Sequence, residues 1–263
     1  MEKLIIPKTR SIGVSAISDT YVFDVETLAL PERVAEYGKP YPPFEEPKYG
    51  NTKDPVKRKA LYDQKYKEWQ EGETKWWDRQ IDKAALNPLT GRVCAIGYAH
   101  PFATKDDGEK NLWDYMEIDG LTALGNHDLE EKGILERFWK KFTEVSFTFG
   151  HCIGHNIEEF DLPFLMKRSW ILGVAVSPVV KNGRYYHRAV VDTMKVWCNY
   201  GFNEMISLDN LAKILGVGKK PDYDAKDFAQ DYLHGDKDTA EFYLKNDLAV
   251  TQACYERLYK NDS

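Results

Sequence analysis

Residues 20–27 read TYVFDVET, and this octet constrains the fold more than any other stretch of the chain. β-Branched and aromatic residues in an unbroken run predict a buried strand. Two carboxylates, Asp24 and Glu26, sit inside it at positions i and i+2, which point to one side of a strand. Burying paired anions is costly unless a cation stands between them. The octet therefore predicts a sheet strand that opens on a cation site. The alternative is a strand that ends here with both carboxylates solvated, and D-x-E alone does not choose between the two.

Further along, residues 31–52 are rich in Pro, Gly, Glu and Tyr and predict a loop. Asp54-Pro55 offers an N-cap with proline in the first turn. The charged run to Leu86 carries Val56, Leu61, Tyr62, Trp69, Trp77, Ile81 and Ala85, and predicts a helix broken near Gly72. RVCAIGYA (92–99) predicts a second strand after the turn Asn87–Gly91, and residues 112–118 a weaker third. Leu129, Ile134, Leu135, Phe138 and Phe142 recur at helical spacing over 128–142. A strand is expected at 144–150, then a helix with Pro163 in its first turn, then a strand at 188–193. Ser207 begins a short helix through Leu215, closed by Gly216. The last helix is expected from near Asp238, with Glu241 completing a capping box, to about Tyr259. Strands first, then alternating helices and strands, predict an α/β domain with a mixed sheet. A chain of 263 residues suits one such domain, 1–263, with a loop and helical insertion at 31–90.

A net charge of −6 argues against broad, charge-driven coating of nucleic acid, though not against a local grip on a few nucleotides. No apolar run reaches the roughly 18 residues of a membrane span. The start, MEKLIIPKTRSIG, does not read as a signal peptide. Cys94, Cys152, Cys198 and Cys254 are scattered without a CxxC pair, so neither a zinc site nor a disulfide framework is expected. A cytoplasmic location follows as the expectation.

Two further motifs carry acidic groups. In GHNIEEFD (154–161), a strand runs into a loop and Asp161 falls at the start of the next helix, where an N-cap role is the simpler explanation. His155, alone among residues of ligand type at that spacing, is expected to hydrogen-bond rather than bind zinc. In YLKND (243–247), Tyr243 and Asp247 at i and i+4 share one face of the last helix.

Taken in order, strand D-x-E, then N-x3-F-D, then Y-x3-D on a late helix, the chain resembles the DEDD exonuclease superfamily in its tyrosine (DEDDy) branch. The likeness is to stand-alone proteins similar to the proofreading exonuclease domain of family B DNA polymerases. GHNIEEFDLPFLMKRSWILGV, AVVDTMKVW, SLDNLAKILGVGKK, FYLKNDLAVTQACYERL and DKAALNPLTGRVCAIGYA all look like segments of that family. The resemblance covers about 20–30 and 80–260. Two departures stand out: Glu158 and Glu159 replace small or neutral residues common in relatives, and residues 31–80 match least well.

The resemblance implies a ribonuclease H-like fold, a central mixed five-stranded sheet flanked by helices. It implies a 3′-5′ exonuclease acting on the 3′ ends of single-stranded DNA or RNA, with DNA as the first choice. An exoribonuclease, or a non-catalytic nucleic-acid-binding or polymerase-accessory module, is the alternative; association with a replication or repair polymerase is left open, and no membrane partner is expected. Asp24, Glu26, Asp161, Tyr243 and Asp247 are the implied catalytic set. The four carboxylates would hold two Mg²⁺ or Mn²⁺ ions, about 3.5–4 Å apart in such sites, hard ions that carboxylate oxygens select. Asp24, Glu26 and Asp247 would hold the first ion, while Asp24 bridges to the second and Asp161 acts through water. Tyr243 would orient the attacking water as a phenol, its ordinary pKa being about 10. Thr27, Leu28, His155, Asn156 and Phe160 are the implied substrate contacts. In the insertion, Lys53, Lys57, Arg58, Lys59, Lys65 and Lys67 precede Trp69, Trp76 and Trp77, which reads either as a clamp on single strands or as an amphipathic helix with its aromatics on the sheet and its lysines solvated. The second is the simpler expectation.

Overall fold

The computed structural model describes residues 20–99, 115–147, 150–180, 189–201 and 204–259. The chain divides into two compact units, one ending at Thr27 and resuming at Val93, the other spanning Leu28–Arg92.

The first unit is built on the sheet. Strands β1 (Thr20–Ala29), β2 (Gly91–Ala99), β3 (Met116–Gly120), β4 (His151–Gly154) and β5 (Val190–Asp192) lie in the order β3-β2-β1-β4-β5. β2 and β3 pair antiparallel, while β1–β4 and β4–β5 pair parallel, so the sheet is mixed. With the helices around it, this is an α/β fold on a mixed five-stranded sheet, as the ribonuclease H-like expectation requires.

Alternation along β1 sorts the core. Phe23 packs on Phe138 and Phe142 of α3 (His127–Phe147), with ring centroids 5.1 and 6.1 Å apart. Val22 packs with Ile153 and Val191 against Leu248 and Tyr255 of α8 (Lys237–Tyr259). Period 2 from Val22 then delivers Asp24 and Glu26 to the α8 side. Gly97 of β2 permits this layer: a Cβ there would lie 2.7 Å from the Leu244 side chain. Any other residue would push α8 off the sheet beside Tyr243.

A buried ion pair ties three elements of this unit together. Glu131 of α3 accepts from Arg168 at 2.8 and 2.7 Å and from the Val93 amide at 3.0 Å. Arg168 belongs to α4 (Asp161–Leu172), the helix that begins with Asp161.

Several expectations are corrected. Residues 144–147 continue α3 instead of forming a strand, because Val145 extends the buried stripe of Phe138 and Phe142. The strand that follows is His151–Gly154, and 148–149 lie outside the described residues. Leu129, counted in the apolar stripe, is exposed. Of the strand expected at 112–118, residues 112–114 are outside the described residues, and β3 runs on to Gly120. The strand expected at 188–193 is Val190–Asp192, with 188 likewise outside and Thr193 already helical. The last helix is capped by Asp236, whose carboxylate accepts the Thr239 amide and hydroxyl. The Ser207 and Gly216 ends of α6 (Leu208–Leu215) stand as expected, Gly216 with φ +67°.

The second unit contains α1 (Pro31–Tyr37), where a loop was expected, and α2 (Pro55–Ala84), capped by Asp54. α2 is continuous through Gly72. Tyr41 donates to the Trp69 carbonyl at 2.6 Å, and its hydroxyl lies 2.6 Å from where a Cβ on residue 72 would be. Glycine therefore serves a close approach here, at a helix cost of about 1 kcal/mol. Phe44 meets Tyr62, Tyr66 and Trp69 edge-on, and Trp69 and Trp76 donate to the carbonyls of Pro42 and Lys39. Trp69 and Trp76 find ring partners in this 39–44 strap, and Trp69 also stacks on Tyr66 of α2, where packing on the sheet was expected.

Candidate functional site

Asp24 and Glu26 leave β1 on the α8 side, and Asp161 meets them from the first turn of α4. Asp161 is not an N-cap. The capping position is Phe160, which makes no side-chain cap bond, and Asp161 Oδ1 accepts the Val25 amide at 3.1 Å. Tyr243 and Asp247 arrive from α8, both buried. The five residues expected from sequence thus share one site.

Electrostatics identify the cluster as a unit. Burial raises Glu26 well above the usual carboxylate range, and the charges of Asp24 and Asp247 raise it further. Burial and then the Asp24 charge raise Asp161, against hydrogen bonds from backbone amides. Burial also raises Asp24, with Lys220 and the Val25 amide opposing it. Asp247 is pushed up to about 7, first by burial and then by Asp24, again against Lys220. Burial, followed by Asp247, Glu26 and Asp24, drives Tyr243 far above the ordinary phenol value, so it remains a neutral donor.

Lys220 is the countercharge, and sequence reasoning passed over it. Its ammonium forms an ion pair with Asp247 Oδ2, donates to Tyr243 Oη at 2.9 Å and lies 4.8 Å from the Tyr243 ring centroid. Two contacts hold the loop that carries it: Asp209 accepts the Lys220 amide at 3.1 Å, and Asn246 donates to the Lys219 carbonyl at 3.5 Å. The available signal was the pair Lys219-Lys220 closing SLDNLAKILGVGKK, in a chain whose four carboxylates demand a cation. Tyr223 was also missed. Its ring lies 4.7 Å from that of Tyr243, and its hydroxyl donates to Asp231 at 2.9 Å.

Residues 155–160 form the loop leading to Asp161. His155 engages both ring nitrogens within the protein, Nδ1 with Thr193 Oγ1 and Nε2 with the Ile206 carbonyl, each at 2.9 Å. A carbonyl only accepts, so Nε2 carries the proton. Burial holds the pKa of His155 below the usual imidazole value. Asn156 has φ +63°. Phe160 is half-buried against Phe164, with centroids 5.7 Å apart. Lys195 answers the additional negative charge of this loop, pairing with Glu159 at 2.5 Å. Thr27 and Leu28 continue β1 past Glu26, both half-buried.

The donor set suits a hard cation on one count. Asp247 Oδ1 is buried and has no hydrogen-bond partner among the described residues. Among those residues, however, no three His, Cys, Asp or Glu side chains are arranged to ligate one ion directly, and Lys220 holds the other oxygen of Asp247.

A family model described as "Predicted 3'-5' exonuclease related to the exonuclease domain of PolB" matches residues 105–262, more than half of the chain. No curated protein matches. Asp161, Tyr243, Asp247 and Lys220 fall inside the matched span, Asp24 and Glu26 lie outside it, and the fold agrees with the match. The chain belongs to this family of predicted 3′-5′ exonucleases related to the exonuclease domain of PolB.

Proposed function

We propose that the protein hydrolyses phosphodiester bonds from the 3′ end of single-stranded nucleic acid, DNA being the first choice, with Asp24, Glu26, Asp161 and Asp247 holding two divalent cations. One observation carries this reading: four carboxylates from β1, α4 and α8 crowd one site, all with pKa values raised by burial, and those of Glu26, Asp161 and Asp247 raised further by the Asp24 charge. Such a cluster is electrostatically unsatisfied, and Lys220 alone cannot neutralise four groups. Mg²⁺ or Mn²⁺ bound there would supply activation of the attacking water and stabilisation of the leaving 3′-oxygen.

The chain's own residues then have separable tasks. Asp247 offers one acceptor oxygen with no hydrogen-bond partner among the described residues, and Lys220 pairs with its other oxygen, which would have to be released for that oxygen to hold a cation. Tyr243, kept a phenol by its anionic neighbours, orients the nucleophilic water by donating or accepting one hydrogen bond. Asn156 and Phe160 receive the terminal nucleotide, the ring by stacking, which tolerates any base. Four free cysteines support a reducing, cytoplasmic setting; among the described residues no helix is long and apolar enough to cross a membrane.

The test is release of mononucleotides from 5′-labelled single-stranded DNA and RNA in Mg²⁺, Mn²⁺ and EDTA. Stepwise 3′ shortening that EDTA abolishes is expected, and the DNA and RNA arms decide substrate preference. Intact substrate in both metals, or cleavage unaffected by EDTA, would defeat the proposal.

A further inference from the structure

Asp192 lies at the end of β5, and its carboxylate is fully buried. Oδ1 accepts the amides of Met194 and Lys195 at 2.9 and 3.3 Å and so caps the short helix α5 (Thr193–Trp197). A cap needs one oxygen, and serine or threonine would provide it. The same carboxylate also reaches across to the loop after β4: Oδ1 accepts the Asn156 amide at 2.9 Å and Oδ2 the Glu158 amide at 3.0 Å. Capping explains the first pair of bonds and leaves the second pair unexplained.

The second pair involves one of the few non-glycine residues with positive φ among those described. Asn156 sits in the left-handed region at φ +63°, a conformation that disfavours residues other than glycine, asparagine being the more tolerant exception. Its side-chain oxygen is buried without a hydrogen-bond partner among the described residues, a deficit worth about 1–3 kcal/mol. Backbone strain and an unmet acceptor therefore coincide on one residue. The adjoining residue repeats the design, since Thr193 Oγ1 lies 2.9 Å from His155 Nδ1 and 3.1 Å from the Gly154 carbonyl, within hydrogen-bonding reach of both. Asp192 and Thr193 together grip residues 154–158 from the neighbouring strand.

We infer that Asp192 is a positioning residue, holding Asn156 in the left-handed conformation and, through the Asn156 and Glu158 amides, setting the 155–160 loop against which the 3′-terminal nucleotide seats. The inference rests on the exonuclease reading above. Asp192 touches no reacting atom; it acts through the Asn156 and Glu158 amides. An amide at position 192 would turn an NH₂ toward at least one of four inward-facing N–H groups, and the loop would relax.

The test is a double-mutant cycle on the whole chain with Mg²⁺ and 5′-labelled single-stranded DNA, comparing wild type, Asp192→Asn, Asn156→Ala and the double variant. Steady-state kinetics are joined by thermal unfolding and by oligonucleotide anisotropy in EDTA. Each single variant is expected to raise KM and the dissociation constant about tenfold, with kcat changed less than threefold, and the double variant is expected to be no worse than the weaker single. Asp192→Ser, which keeps an oxygen for the α5 cap and loses the loop bonds, is expected to match Asp192→Asn in KM and serves if the amide variant does not fold. Multiplying losses in the double variant, or a lowered Tm with KM unmoved, would overturn the positioning role and leave the exonuclease reading intact. A wild-type protein that neither shortens nor binds the oligonucleotide would overturn both.

Discussion

The Lys220 ammonium donates to the Tyr243 hydroxyl at 2.9 Å while paired with Asp247, four residues further along the same helix face. One cation therefore bridges the two residues of α8 that the sequence places together, and it comes from a loop more than twenty residues upstream. Its position gives the acidic cluster a countercharge within the chain itself, and the consequences can be measured.

Replacing Lys220 with Gln removes that countercharge from Asp24, Glu26 and Asp247. In EDTA at pH 8 the variant is expected to melt below wild type, and Mg²⁺ should restore more stability to it than to wild type. Differential scanning fluorimetry across a Mg²⁺ titration reads both. Equal Mg²⁺ responses would remove Lys220 from the electrostatics of the site.

Asp24→Asn should separate stability from chemistry. It relieves repulsion on Glu26, Asp161 and Asp247, so Tm in EDTA should rise or hold. Nucleotide release should fall at least a hundredfold in a single-turnover assay with Mg²⁺. Full activity of this variant would end the proposed role of Asp24.

Glu158 gives a pH-dependent effect with a definite sign. It is pushed up to about 7, mainly by burial and then by Asp192. A carboxylic acid raised on folding favours the native state at low pH and loses that advantage as pH climbs from about 4.5 through 7. Glu158→Gln is thus expected to gain on the order of 1 kcal/mol over wild type at pH 8, after allowance for partial solvent screening, and nothing near pH 4.5. Denaturant unfolding at the two pH values is the measurement, and a gain independent of pH would contradict it.

Arg168→Met leaves Glu131 charged and wholly buried beside the Val93 amide. Removing one partner of a buried pair costs about 3–5 kcal/mol, and that loss is expected in urea unfolding. Adding Glu131→Leu should recover much of it, because the orphaned charge goes with it.

In the second unit, Phe44→Ala should loosen α2 locally. The ring contacts Tyr62, Tyr66 and Trp69, and losing it should cost about 1–3 kcal/mol at a half-buried site. Hydrogen exchange is expected to speed up across residues 55–76 while the amides of β1 and β4 keep their protection. Unchanged exchange in α2 would show that the strap does not hold it.

Local signals settled much of this protein in advance. The two-residue period of β1 puts Asp24 and Glu26 on one side, the i, i+4 spacing pairs Tyr243 with Asp247, and Asp54, Ser207 and Gly216 mark helix ends, all because the cause lies within a few residues of the effect. Expectations failed where the deciding partner was distant. Gly72 reads as a helix break until Tyr41 arrives beside it, Asp161 reads as a cap until the Val25 amide takes its oxygen, and residues 144–147 read as a strand until the sheet face buries Val145. Lys220 and Asp192 were legible as residue types only. Their work depends on which carboxylate or amide stands opposite, and chain folding alone brings together groups separated by 27 residues, as Lys220 and Asp247 are, or by 36, as Asp192 and Asn156 are.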